Sequence, residues 1–156
     1  MSSATALTSA LTGPVSSTSA LAPTPTPAPG VSTILVIEDY SDTREFLSGV
    51  LRSYGYKVIE AEDGLDGLVK AIAHYPDLII MDLALPQMDG IETARRIHAE
   101  PNLARTPILV VSAYLTEEVK ADALSAGCVE VIAKPFDAAA LVEKVARTLA
   151  LVSSDR

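Results

Sequence analysis

A lone cysteine, Cys128, excludes any intrachain disulfide, and nothing else in the chain calls for an oxidising compartment, so a cytoplasmic setting is expected. Free cysteine is among the most buried residue types, which makes Cys128 a small core residue rather than a reactive thiol. No apolar run approaches the ~18 residues needed to cross a bilayer, and membrane insertion is not expected. Charge of either sign is missing from residues 1–30, so the whole formal charge of −8 falls on residues 31–156. An acidic surface argues against phosphate-backbone binding, which needs a basic patch, and suits a protein that meets cations or basic partner faces. Direct contact with nucleic acid is therefore not expected.

At 156 residues the chain holds one ordinary domain. Residues 1–31 are mostly Ser, Thr, Ala and Pro with scattered Leu, and they close on the alternating prolines Pro23, Pro25 and Pro27. They lack the basic and unbroken apolar segments of a secretory signal, and the Pro-rich end favours extended backbone, so a disordered tail is expected there. Val31 stands immediately before the first strand and some starts use Val-type codons, so a natural start near it is a second expectation, which an N-terminal mass from the native source showing the full tail would dispose of.

Beyond the tail, apolar runs alternate with amphipathic stretches. Ile34 to Ile37 reads as a buried strand ending in Glu38 and Asp39. A helix follows that Ser41 or Asp42 can cap, with Phe46, Leu47, Val50, Leu51 and Tyr54 on one face and Gly55 at its end. Lys57 to Ala61 is a short second strand. Asp63 and Gly64 turn into a helix with Leu68 and Ile72 on its inner face, weakened by ~1 kcal/mol by Gly67 and closed by Pro76. The third strand, Leu78 to Asp82, leads to a helix from about Met88 to Ala99 and a loop with Pro101 and Pro107. Ile108 to Ser112 is the fourth strand, and Thr116 or Glu117 opens a fourth helix that Gly127 ends. Val129 to Ala133 is the fifth strand, and after Lys134 and Pro135 the last helix runs from Asp137 to about Leu151, with Leu141, Val145 and Leu149 aligned. Five strands alternating with five helices specify a three-layer α/β domain with a parallel sheet and right-handed crossovers.

The stretch from Leu78 to Gly90 organises the rest. A continuous apolar run reads as a strand buried on both faces, where an unpaired charge has no place, so Asp82 must sit where the strand surfaces. In open α/β sheets that edge is the ligand crevice, which makes Asp82 a candidate nucleophile. An aspartate that merely caps the following turn is the plainer alternative. Convergence separates the two. Glu38 and Asp39, Asp82, Ser112 and Lys134 all end strands, and a parallel sheet brings every strand's carboxyl end to one edge.

Three carboxylates a few ångströms apart repel by about 4 kcal/mol per pair at an effective dielectric of 20. Lys134 supplies one compensating charge, and a hard divalent cation would supply the rest; all-oxygen ligands suit magnesium better than zinc. His74 and His98 fall on helices away from the crevice, without metal-ligand spacing, and read as ordinary surface residues. A carboxylate beside magnesium and an ammonium is a good phosphoryl acceptor, so phosphorylation of Asp82 is the implied reaction.

Residues 33–150 resemble the receiver domain of bacterial two-component response regulators. The resemblance rests on Val36-Ile37-Glu38-Asp39, on Met81-Asp82-Leu83-Ala84-Leu85-Pro86-Gln87-Met88-Asp89-Gly90, on Val110-Val111-Ser112-Ala113 and on Lys134-Pro135-Phe136. It implies a receiver domain over residues 32–152 with a flavodoxin-like, doubly wound three-layer fold, its parallel strands in the order 2-1-3-4-5. It also implies that Asp82 takes a phosphoryl group from a sensor histidine kinase or a histidine phosphotransfer protein. Mg²⁺ would be held by Glu38, Asp39, Asp82 and the backbone carbonyl of Ala84, with Ser112 and Lys134 on the phosphoryl oxygens and a cis bond before Pro135. The expected protein catalyses only its own phosphorylation and dephosphorylation, has no attached output domain and signals to a downstream protein. The face of the fourth helix, fifth strand and fifth helix is the candidate surface for weak self-association. The chain departs from the family at Val131, where an aromatic switch residue is usual, so that face is expected to change less on phosphorylation. Ala84 and Tyr114 occupy positions where the family tunes phosphoryl lifetime. Three alternatives remain. A haloacid-dehalogenase-type phosphatase would need an acid where Ala84 stands, a flavodoxin-like cofactor binder would need a phosphate loop after the first strand, and a phosphorylation-independent receiver-like module would only bind proteins.

Overall fold

Side chains alternate sides along a strand, and here that alternation builds two cores on either side of one sheet. The computed structural model describes residues 31–154, so the tail expected over 1–31 lies, Val31 apart, outside the described residues. The strands are β1 (Thr33–Ile37), β2 (Lys57–Ala61), β3 (Leu78–Asp82), β4 (Ile108–Ser112) and β5 (Glu130–Ala133). Between and after them come α1 (Ser41–Ser53), α2 (Gly64–His74), α3 (Gly90–Ala99), α4 (Glu117–Ser125) and α5 (Ala138–Ser154). The sheet is ordered β2-β1-β3-β4-β5 and every pairing is parallel, as expected of a doubly wound fold.

From β1, Leu35 and Ile37 enter a core shared with Ile79, Met81, Ile108 and Val110 and closed by Ala71, Ala94, Ile97 and Ala123 of α2, α3 and α4. Ile34 and Val36 enter the other, with Ile80, Leu109 and Val111, closed by Leu47 and Leu51 of α1 and Leu141 and Val145 of α5. β3 and β4 are buried along their whole length, which is why they read as continuous apolar runs rather than alternating ones. Cys128 is buried in the first core, and burial pushes its thiol up to about 11, in keeping with an inert core residue.

Several expected details differ. Ser41 and Asp42 do not cap α1; Tyr40 occupies the cap position without a side-chain bond, because the chain there is already tied to the Glu38 carboxylate. Phe46 is exposed and Leu47 and Leu51 carry that helix's burial. On α2 the inner face is Gly64, Gly67 and Ala71, while Ile72 points outward. The helix lies so close to the sheet that a Cβ on Gly67 would stand 2.8 Å from Ile37 Cγ1, so the glycine is there for close approach. α3 starts at Gly90 rather than Met88, capped by Asp89, whose side chain accepts from Glu92 N. Thr116 caps α4 through Val119 N, as expected. His98 is half-buried, with Nε2 2.8 Å from Thr106 O, so it is a packing residue rather than a surface one. The Lys134–Pro135 bond is cis.

Candidate functional site

The parallel register delivers the expected residues to one edge. Asp82 is the last residue of β3, level with Val111 of β4, and Ser112 is the next residue along β4, level with Ala133 of β5. Lys134 follows at once, its N–H donating to Ser112 O at 2.8 Å. On the other side of β3, β1 ends at Ile37, and Glu38 and Asp39 follow.

Lys134 joins the distant segments. Its ammonium donates to Asp82 Oδ2 at 3.0 Å and to Glu38 Oε1 at 3.1 Å. Asp82 is 5% exposed and Glu38 1%, so both carboxylates are held almost out of water. The second oxygen of each is also occupied: Ala84 N donates to Asp82 Oδ1 at 3.0 Å, and Tyr40 N to Glu38 Oε2 at 3.1 Å. Asp39 is exposed at the rim. Oxygens of Glu38, Asp39 and Asp82 lie within 4.8 Å of one another. Gly90 backs the site: a Cβ there would stand 2.8 Å from Asp82 O and from Leu83 Cα.

The electrostatics follow from crowding. Burial, and then the Asp82 charge, push Glu38 above the ordinary carboxylate range, against the pull of the Tyr40 amide and of Lys134. Burial alone would lower the Lys134 ammonium, but its bonds to Asp82 and Glu38 and their charges outweigh that and raise it. One ammonium faces three carboxylates, an all-oxygen donor set with charge to spare, which fits a hard divalent cation such as magnesium.

Ser112 is buried at 6%, and its hydroxyl is turned to its own loop, donating to Tyr114 O and accepting from Tyr114 N, both at 3.2 Å. Its backbone joins the site; its side chain, in this state, does not. Val131 is half-buried against the first core. Sequence reasoning missed Arg44, whose Nη1 donates to Glu38 O at 2.7 Å. A cation near the amino end of a helix, against the helix dipole, was the available signal.

The model of the response regulator receiver domain matches residues 34–146. The chain belongs to that family. The response regulator ArlR of Staphylococcus aureus is 38% identical over 112 residues, 72% of this chain and 50% of that protein. The chain thus spans about half the length of the curated relatives it matches. Among solved structures, the chemotaxis protein CheY4 of Vibrio cholerae is 29% identical with a TM-score of 0.73, the match covering 76% of this chain and 98% of that one. The receiver domain of the sensor histidine kinase PA1611 of Pseudomonas aeruginosa is 32% identical, with a TM-score of 0.72 over 78% of this chain and 99% of that one. That structure has a magnesium ion coordinated in its active site cleft. Receiver domains are signalling modules of two-component systems, whose response regulators interact with histidine kinases and downstream targets. Among the described residues of this receiver domain no helix is long and apolar enough to cross a membrane.

Proposed function

We propose that Asp82 is the phosphoacceptor of a two-component relay. The observation that carries this reading is the Lys134 ammonium bridging Asp82 and Glu38, 52 and 96 residues away in sequence, an arrangement with no packing purpose in so buried a place. An Asp82 carboxylate oxygen attacks the phosphorus of a phosphohistidine on a sensor kinase or histidine phosphotransfer protein. The P–O bond of an acyl phosphate forms as the P–N bond breaks, and the imidazole leaves with the electron pair and takes up a proton. Lys134 holds the acceptor in place and offsets charge on the phosphoryl oxygens. Ser112 exchanges its Tyr114 partner for a phosphoryl oxygen. Glu38, Asp39, Asp82 and the backbone carbonyl of Ala84 would hold Mg²⁺, whose charge would offset that developing on the transferring group. Water later hydrolyses the acyl phosphate, so the only reaction catalysed is at Asp82 itself.

The output is altered binding of a downstream protein. Leu124 of α4, Val129 just before β5 and Leu151 of α5 are exposed, which supports use of this region for a partner or for weak self-association, and Val131 in place of an aromatic predicts a small rearrangement there. Incubation with acetyl phosphate and Mg²⁺ tests the reading. A mass gain of one phosphoryl group, absent in Asp82→Asn, is expected. No gain would leave a module that binds proteins independently of phosphorylation, and sustained turnover of an external phosphate ester would point to a phosphatase.

A further inference from the structure

Arg44 stands near the amino end of α1, where the helix dipole disfavours a cation. Its side chain is nonetheless only 18% exposed, because it turns back toward the site. Nη1 donates to Glu38 O at 2.7 Å and Nε to Glu60 Oε1 at 3.3 Å. Glu60 is itself fixed: Arg52 Nη1 lies 3.4 Å from its other carboxylate oxygen, and Lys70 Nζ donates to its carbonyl at 2.7 Å.

The Glu38 carbonyl belongs to the peptide that joins Glu38 to Asp39. That peptide lies past the last residue of β1, where Glu38 N still reaches Ala61 O at 3.0 Å. With Tyr40 N and Lys134 on the Glu38 carboxylate, the Arg44 bond means that every polar group of Glu38 is engaged. Asp39 is exposed, and among the described residues its carboxylate has no comparable anchor. The peptide that Arg44 holds therefore fixes the point from which the Asp39 side chain departs.

We propose that Arg44 is a positioning residue for the divalent-cation site, holding the Glu38–Asp39 peptide so that a buried and an exposed carboxylate face one ion. The proposal rests on reading the three acids as such a site. It makes a prediction of definite sign. By charge alone, removing a cation near three acids would tighten Mg²⁺ binding. If Arg44 acts by position, removing it loosens binding, by about tenfold for an outer-shell contact of this kind.

Calorimetric titration of the full chain with Mg²⁺ decides between them. Arg44→Ala should raise the Kd about tenfold. Arg44→Lys, which keeps the charge but not the two-sided fork, should also bind more weakly than wild type, and it decides the matter if Arg44→Ala does not fold. In metal-free protein the Tyr40 amide, bonded to Glu38 Oε2, should exchange with deuterium faster in both variants. Wild-type affinity or tighter in folded Arg44→Ala and Arg44→Lys overturns the role of Arg44 alone, provided that wild type binds Mg²⁺ and Asp82→Asn binds it more weakly. A wild-type chain that binds no Mg²⁺ overturns the functional reading and this inference with it.

Discussion

Lys134 and Glu38 oppose one another in how they affect the fold, and each can be tested singly. Lys134 has 22% of its side chain exposed, and Asp82 and Glu38 have 7% and 2%. Lys134→Ala leaves two neighbouring carboxylates in a place that excludes water, so it should destabilise the metal-free protein by about 3 kcal/mol, lowering the melting temperature by roughly 10 °C. Glu38→Gln should do the reverse, since it removes the burial penalty and the Asp82 repulsion that raise Glu38. An acid raised in the folded state lends stability in full below its unfolded value near 4.5, and that contribution is lost as pH rises through the raised folded value. Glu38→Gln and wild type should therefore melt together below pH 4.5. At pH 7 in chelator the variant should melt higher than wild type. A variant that melts lower at pH 7 would show that the bonds to Tyr40 and Lys134 outweigh the penalty. The raised Lys134 contributes stability below 10.5 that is lost as pH climbs through its raised value, so its share should disappear only in strong alkali.

At the scale of elements, the contact between α2 and β1 is the tightest constraint. Gly67→Ala would gain ~1 kcal/mol of helix propensity, yet the new Cβ meets Ile37, and overpacking of this kind costs about 1–3 kcal/mol. The expected outcome is net destabilisation, partly relieved in Gly67→Ala/Ile37→Val; additive effects in a double-mutant cycle would refute the contact. Thr116→Ala, by removing the α4 cap, should cost about 1 kcal/mol without touching the site. These two positions show what could be read beforehand. Thr116 was legible because a cap is a local device, set by one side chain and an amide three residues on. Gly67 was legible as a weakness in a helix but not as a contact, since its neighbour is thirty residues away. At α1 the reading failed for a local reason: Ser41 has the chemistry of a cap, but the amide of Tyr40 is bonded to the Glu38 carboxylate two residues back, and Tyr40 itself stands at the cap position. The meeting of Glu38, Asp39, Asp82 and Lys134 at one edge was legible because a parallel sheet brings every strand's carboxyl end there, whereas the strand order was legible only through the family resemblance, since parallel pairing alone allows other orders. The direction of the Ser112 hydroxyl and the bond from Arg44 were not, since they depend on rotamers and on residues outside any motif.

For the whole molecule, the question is whether its excess negative charge acts diffusely or at one place. A formal charge of −8 destabilises a compact state by self-repulsion that any salt screens, with a Debye length of about 10 Å at 0.1 M. Carboxylate oxygens within 4.8 Å of one another, two of them on nearly buried side chains, are too close and too sheltered for that screening to reach. An ion bound among them stabilises the folded chain by mass action instead, about 2.7 kcal/mol at a free concentration one hundred times its Kd. MgCl₂ should therefore raise the melting temperature well beyond NaCl at equal ionic strength, saturating as a single site does. The increment should fall sharply in Asp39→Asn, which keeps the buried pair and Lys134 intact but removes the rim ligand. Equal shifts from the two salts, or an undiminished magnesium increment in Asp39→Asn, would mean that the charge is relieved over the whole surface and that the three acids do not act together.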